Sequence, residues 1–515
     1  MGRMLSLWMY GMWSMFLKPL TNSSWSRNNL ALLQKTPPQK CGGFLLLQDI
    51  YILTFTGVYM TQHKIVKIPD WVSPESENFL NDIGEQGWEL VHLYNQHAYM
   101  KASAAGTLES GSVNPLYDAF GRQRVSETYT LGDYKHLYAI DSTFINYTAS
   151  GASITFDQNR SSVTLATNTT SGSRAVHQTK MYHNYMPGKS QVILSSFVFG
   201  NAVSGSVKRT GYFDDYNGIF LEQDQTGSLQ FVIRSATGGT GSLTEQRVKQ
   251  ENWNVNTLLS GSLVLDITKT QLFFTDFQWL AVGRVRCGFV YKGNTIICHT
   301  FDHTNTLDVA YMQNPNLPVR CEILNTANTG TASSMEQICS TVGSEGGYQE
   351  AGVTVSLGSP ILRTITSGST MPVMAVRLKS SYNGLPNRAF VRIGNVGAFT
   401  EDQTTQYKLV KLPQSSSLTG GSWVSAGDGS VVEYNITATA YSGGQELSGG
   451  FIFAGGTGGG NNIAGQQQTP TINQKVNFIA QNFNSNDSEI YILAMKNMTG
   501  TNTDVGCTMV WTEVY

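Results

Sequence analysis

The sequence predicts a mainly β protein of tandem β-sandwich or jelly-roll domains, the middle one lectin-like, preceded by a small α+β domain. Three observations predict it. Only 14% of the 515 residues are charged, against about 25% in an ordinary soluble protein. Gly reaches 52 and aromatics 11%, so turn residues are abundant and there is ample material for large cores. From 140 to 330, apolar residues alternate in strand after strand with turn signals between them, and no amphipathic helix longer than a few turns interrupts the pattern. The 34 Lys+Arg and 36 Asp+Glu leave a formal net charge of −2. That balance offers no basic surface for neutralising phosphates and argues against nucleic acid as a partner.

Residues 1–59 differ from the rest. They carry five basic residues (Arg3, Lys18, Arg27, Lys35, Lys40), one acid (Asp49) and three of the nine Trp. The apolar run from Met4 to Leu17 is shorter than the about 20 residues that span a bilayer, so no membrane partner is expected. Thr56-Gly57-Val58-Tyr59-Met60 back-translates to a purine-rich element just ahead of a start codon. The expectation is a native start at Met60, with 1–59 an upstream extension read as protein or a disordered segment. A weak membrane anchor or a signal segment is the alternative.

Residues 60–102 read as a compact α+β unit. His63–Ile68 alternates like a strand. Ser73 can cap a helix that has Pro74 at its first position, Glu75 and Glu77 in the first turn, and Phe79, Leu80 and Ile83 on one face. Trp88–Tyr94 and His97–Lys101 read as a strand pair about Asn95-Gln96. The run Leu80-Asn81-Asp82-Ile83-Gly84-Glu85-Gln86-Gly87-Trp88-Glu89-Leu90-Val91 resembles a small domain-of-unknown-function family that recurs in phage and bacterial proteins. That resemblance implies no activity.

Residues 103–112 are small and polar, as a flexible linker requires. A lectin-like sandwich is expected over 113–365. Alternation marks Leu229, Phe231 and Ile233, then Phe273, Phe277 and Trp279, then Val285, Cys287, Phe289 and Tyr291. Lys292-Gly293-Asn294 turns the chain into Ile296-Ile297-Cys298. A second sandwich is expected over 370–515. There Val373, Ala375 and Arg377 alternate with Met374, Val376 and Leu378, and a strand closes the chain at 507–515. Between them Ser442–Pro470 is a long Gly/Gln/Asn-rich span of the kind that forms exposed loops.

A second resemblance rests on five segments taken in order. They are Tyr117-Asp118-Ala119-Phe120-Gly121-Arg122-Gln123-Arg124-Val125-Ser126, Met186-Pro187-Gly188-Lys189-Ser190-Gln191 and Gly211-Tyr212-Phe213-Asp214-Asp215-Tyr216-Asn217-Gly218. Asp276-Phe277-Gln278-Trp279-Leu280-Ala281-Val282-Gly283-Arg284-Val285-Arg286 and Pro315-Asn316-Leu317-Pro318-Val319-Arg320 complete the set. Together they resemble tailed-phage virion proteins of the head-fibre or tail-fibre kind. The resemblance implies a particle component assembled in the bacterial cytoplasm, with other virion proteins as partners and a homo-oligomer, such as a trimer, as the working form.

Sites of chemistry are few. Arg284 and Arg286 share a strand face near Asp276 and read first as a structural Arg–Asp network under a loop; the alternative is a glycan platform of Trp279 with Arg284 and Arg286, since aromatic faces stack on sugar rings. Asp214, Asp215 and Asn217 are candidate calcium ligands, though too few alone for the six to eight oxygens calcium takes; otherwise they form a turn at Asn217-Gly218. No other cofactor is implied. Glu222 and Asp224 share a strand face, but Gly227 stands where a third acid of a sandwich-glycosidase pattern would be. Cys298, His299, Asp302 and His303 cluster without the helical spacing zinc ligands need. The six cysteines form no C-x-x-C pair and read as free thiols.

With no catalytic constellation legible, the sequence predicts a protein that is not an enzyme. It predicts a structural protein of a tailed-phage head or tail fibre or decoration, serving assembly or surface attachment. The alternatives are a host-glycan or receptor-binding adhesin, or a capsule depolymerase using Glu222 and Asp224.

Overall fold

The computed structural model describes strands at 50–56, 59–67, 88–94 and 97–102, and residues 128–515 except 239–241, 262, 350–351, 414–416, 454–466 and 469–477. The helix expected from Ser73 and most of the loop at 442–470 lie outside the described residues. Among those described there is no α-helix, and no helix long and apolar enough to cross a membrane. The chain divides into two compact units at Ser110/Gly111.

In the first unit β1 (Ile50–Thr56), β2 (Tyr59–Lys67), β3 (Trp88–Tyr94) and β4 (His97–Ala102) form one antiparallel sheet in the order β1-β2-β4-β3. The β1–β2 hairpin runs across the boundary expected at Met60.

The second unit holds two sandwiches. The first begins with β5 (Tyr129–Lys135), β6 (Phe144–Ala149), β7 (Ser153–Asp157), β8 (Ser162–Thr167), β9 (Arg174–Thr179) and β10 (Ser190–Val198). It continues with β11 (Ser206–Phe213), β12 (Gly218–Gln223), β13 (Leu229–Ser235) and β14 (Thr244–Lys249). β15 (Gln271–Phe277), β16 (Val285–Tyr291), β17 (Asn294–Phe301), β18 (Val319–Asn325) and β19 (Ser333–Glu345) complete it. One sheet runs β17-β16-β15-β10-β19-β8-β7 with β5 also on β19; the facing sheet runs β14-β13-β12-β11-β18-β9-β6. Both are antiparallel, so neighbouring residues point to opposite faces.

The alternation read from the sequence fills the space between these sheets. Ile219, Leu221, Phe231, Ile233, Phe273, Val285, Cys287 and Phe289 belong to one core, where Phe231 stacks on Trp253 with ring centroids 4.1 Å apart. The turn after β16 places Lys292 and Gly293 at φ 49° and 79° between the paired residues Tyr291 and Asn294. Two positive φ values in a two-residue loop match the right-handed twist of the flanking strands, which is why Gly is favoured there.

Alternation alone does not explain β12 and β13, which are buried at every position. Their outward residues lie under a second layer. Phe213, Phe220 and Val232 form a small buried cluster on that outer face. Arg320 covers the Phe213 ring at 5.3 Å, while Arg234 and Arg209 cover Phe220 at 5.0 and 5.8 Å. Carboxylates tie these guanidiniums together. Arg209 reaches Glu222 at 2.6 Å and Glu322 at 2.9 Å, and Arg174 reaches Glu322 at 3.1 Å and Asp215 at 2.7 Å. Each guanidinium thus keeps its charge partner while its flat face shields apolar surface.

The second sandwich pairs Val353–Gly358, Arg363–Ile365 and Phe390–Thr400 with the terminal strand Thr503–Val514. Its facing sheet is built around Thr370–Leu378, Thr405–Leu412 and Ile490–Asn497. Residues 353–365 were expected in the first sandwich; the pairing places them in the second. Met374, Val376 and Leu378 enter the main core, and Ala375 lies in a smaller cluster on the opposite face. Trp511, fully buried, donates its indole N–H to Glu513 at 2.8 Å. Glu513 also accepts from Ser430 Oγ at 2.6 Å and the Val431 N–H at 3.0 Å.

Candidate functional site: the cleft between the two sandwiches

A loop of the second sandwich clasps the outer face of the first. Phe483 stacks on Tyr147 with centroids 4.4 Å apart and lies under Arg320 at 5.3 Å and Arg174 at 5.5 Å. Glu489 bridges Lys180 of the first sandwich and Lys411 of the second, each at 2.9 Å. Arg388 donates to the carbonyls of Asn482 and Phe483 and lies over Tyr182 at 4.9 Å. This clasp fixes the two sandwiches side by side and leaves a cleft of about 260 Å³ beside it, lined from both.

The β11–β12 hairpin supplies one wall of the cleft. The Asp214 N–H donates to the Asn217 carbonyl at 2.8 Å, and Asp214 Oδ1 accepts the N–H groups of Tyr216 and Asn217, both at 2.8 Å. The next residue is Gly218, where a Cβ would stand 2.0 Å from the Cβ of Phe213. Asn217 Oδ1 accepts the N–H of Gln313 at 2.9 Å and so draws the 313–316 loop against the hairpin. Leu385, Pro386 and Arg388 form the opposite wall.

The electrostatics of the wall are balanced. Burial pushes the Asp215 carboxyl up, but Arg320 and Arg174, each at 2.7 Å, outweigh it and hold it below the usual carboxylate range. Asp214 is shifted the other way: burial raises it against the opposing pull of Arg320, the two backbone N–H groups and Arg388. Two adjacent acids therefore differ, one locked in an ion-pair lattice and one held by backbone alone.

The structure thus gathers Asp214, Asp215 and Asn217 at one hairpin, but not as a calcium set. Asp214 Oδ1 and Asn217 Oδ1 are taken by backbone N–H groups, Asp215 by two arginines, and Arg320 and Arg388 line the same cleft. Among the described residues no group of three or more His, Cys, Asp or Glu could hold a metal ion.

The glycan platform expected at Trp279, Arg284 and Arg286 is also corrected. Arg286 and its partner Asp276 are both fully buried, so neither meets a ligand. Trp279 is half-buried against the core, with its indole N–H donated to the Met312 carbonyl at 2.8 Å. Arg284 pairs instead with Asp302. The alternation that places these residues near one another says nothing of Met312, whose carbonyl takes the Trp279 indole N–H.

Glu222, read as sharing a strand face with Asp224, is sealed by Arg209, Arg247 and Gln230. Asp224 accepts the N–H groups of Thr226 and Ser228 at 2.8 and 3.0 Å and caps a turn. His299 accepts the Asn254 N–H, while His303 bonds the Gly283 carbonyl at 2.7 Å and stacks on Tyr311. The five described cysteines are free.

No family model and no curated protein matches the sequence. Among solved structures the chain is similar to a mixed-linkage glucan GH16 enzyme of Bacteroides ovatus at 11% identity and TM-score 0.28, covering 41% of this chain and 99% of that one. A β-1,3-glucanase of Mycobacterium marinum gives 10% identity and TM-score 0.28 over 42% and 97%. A legume lectin-like domain of Entamoeba histolytica gives 9% identity and TM-score 0.26 over 44% and 100%. Glycoside hydrolases recur among these structures, so the expectation that the chain is not an enzyme is withdrawn.

Proposed function

We propose that the protein is a structural component of a tailed-phage particle that mediates surface attachment, as the virion-protein resemblance of residues 113–350 implies. The observation that carries the reading is the clasp. Phe483 under Arg174 and Arg320, with Glu489 between Lys180 and Lys411, makes two sandwiches one body. A fused pair of sandwiches presents a fixed surface at no further ordering cost when it binds. The near-neutral chain suits repeated display in a homo-oligomer, because neighbouring copies do not repel strongly. Glu222 and Asp224 have no part in this reading, since their oxygens already serve the fold.

Competition tests it. Purified full-length protein, added to host cells before phage, is expected to lower particle adsorption in proportion to its concentration. Undiminished adsorption at saturating protein overturns the attachment role.

A further inference from the structure

We propose that the cleft between the two sandwiches binds a neutral, hydroxyl-rich ligand of monosaccharide size, with Asp214 accepting its hydroxyls and the Asn217 and Asn314 amides donating to it. This deepens the attachment reading and rests on it only for its biological setting; the binding is tested separately.

Three observations carry it. The first is an unfilled valence. Asp214 is 8% exposed and spends Oδ1 on two backbone N–H groups. Oδ2 has no partner among the described residues, although Asp214 lines the cleft. A carboxylate oxygen left open to the cleft can accept from a ligand donor. Asn217, 3% exposed, likewise spends its Oδ1 on the backbone N–H groups of Gln313 and Ala236 and keeps its NH₂ unpartnered among the described residues. Asn314 uses Oδ1 on the Asn316 N–H at 2.9 Å, which leaves its NH₂. One acceptor and two amide donors in a single wall match the mixed donor–acceptor character of a polyol.

The second observation is charge. Two carboxylates, Asp214 and Asp215, face two guanidiniums, Arg320 and Arg388, so the lining sums to zero. A cation meets the arginines, and an anion meets Asp214. A neutral ligand meets neither repulsion. The third is shape: the cleft volume of about 260 Å³ falls just below the range of about 300–1,000 Å³ that encloses drug-sized molecules. Leu385 and Pro386 give it an apolar side, across from the half-buried Tyr216. Apolar walls with a few fixed polar groups are the usual build of a small-ligand site, and domain boundaries are a usual place for one.

The test uses full-length protein and ligand-observed NMR with the methyl glycosides of glucose, galactose, mannose and N-acetylglucosamine. Methyl glucuronide and Ca²⁺ serve as charged probes. At least one neutral glycoside is expected to bind. Asp214→Asn keeps the turn-forming oxygen but replaces the free acceptor by a donor, and is expected to weaken binding about tenfold or more. Leu385→Arg, at an exposed position of the other sandwich, is expected to abolish it by filling the cleft. Failure of all four neutral glycosides to bind, preference for glucuronide or Ca²⁺, or binding unchanged in both variants overturns the proposal. Should the glycosides fail while the protein still blocks adsorption, the cleft proposal falls and the attachment reading stands; the reverse result removes attachment and leaves the site.

Discussion

Phe483 of the second sandwich and Tyr147 of the first stack with ring centroids 4.4 Å apart and an interplanar angle of 19°. Two arginines, Arg174 and Arg320, close over the Phe483 ring. The contact joins a strand at the edge of one sheet to a loop of the other sandwich.

Phe483→Ala removes the stack and both cation–aromatic contacts. Each such contact is worth about 0.5–1.5 kcal/mol beyond the buried area. A loss of about 2–4 kcal/mol is expected, with the single calorimetric transition of unit two splitting into two as the sandwiches unfold independently. An unchanged single transition would show that the clasp does not couple them.

Arg320 is 2% exposed and contacts Asp215, Glu322 and Gln178. Removing one member of a buried ion lattice strands the others, at a cost of about 3–5 kcal/mol. Arg320→Ala is therefore expected to lower the urea midpoint strongly, whereas Arg160→Ala, in an exposed pair with Glu336, is expected to cost at most about 1 kcal/mol. Equal effects from the two would contradict the roofing role given to the guanidinium layer.

Acid should unfold the protein in two stages. His183, wholly buried between Tyr134 Oη at 2.7 Å and the Leu317 carbonyl, has its imidazole pulled down to about 4 by burial. His177 is shifted the same way by burial and by its neighbour His136, with their Nε2 atoms 3.4 Å apart. The unfolded chain takes up these protons at about pH 6.5 and the folded chain does not. Stability is therefore full above about pH 6.5 and falls as pH drops from there toward 4, by about 1.4 kcal/mol per pH unit for each such imidazole. Burial pushes Glu322 up, but Arg209, Arg174 and Arg320 hold it down at about 2. Its contribution is present above about pH 4.5 and is lost only below that. Urea midpoints measured across this range should decline first through the histidine window; a flat profile from roughly pH 7 to 5 would contradict it, and His183→Gln should reduce the slope.

Gly218→Ala sets a Cβ against Phe213 at the base of the cleft hairpin, 2.0 Å from its Cβ. Overpacking of this kind costs about 1–3 kcal/mol. The loss should appear as a lower Tm, while Gly293→Ala, with nothing within 4 Å at φ 79°, should cost only about 1 kcal/mol.

Local features were legible in the sequence; partnerships between distant segments were not. The period-2 runs at Phe231, Phe273 and Phe289 name the core because alternation is local. Lys292-Gly293 names its turn for the same reason. Val353–Gly358 was assigned to the wrong sandwich because its partner, Thr503–Val514, lies at the far end of the chain. The Arg286–Asp276 pair was legible because strand rhythm puts the two on neighbouring strands; the half-burial of Trp279 was not, because it depends on Met312 in a later loop. The turn at Asp214–Asn217 was legible because Asn217-Gly218 is a local signal; its neighbours Arg320 and Arg388 were not, because they come from a distant strand and from the other sandwich. Phe483 left one faint signal, a lone aromatic in the polar run Asn482-Phe483-Asn484-Ser485-Asn486-Asp487.

Membership of a virus particle is the claim on which the biological reading turns, and quantitative mass spectrometry of density-purified particles tests it most directly. The account predicts peptides from the two sandwiches at a fixed ratio to the major capsid protein that survives repeated banding. Peptides confined to the unbanded lysate, or a ratio that falls with each purification step, would contradict it.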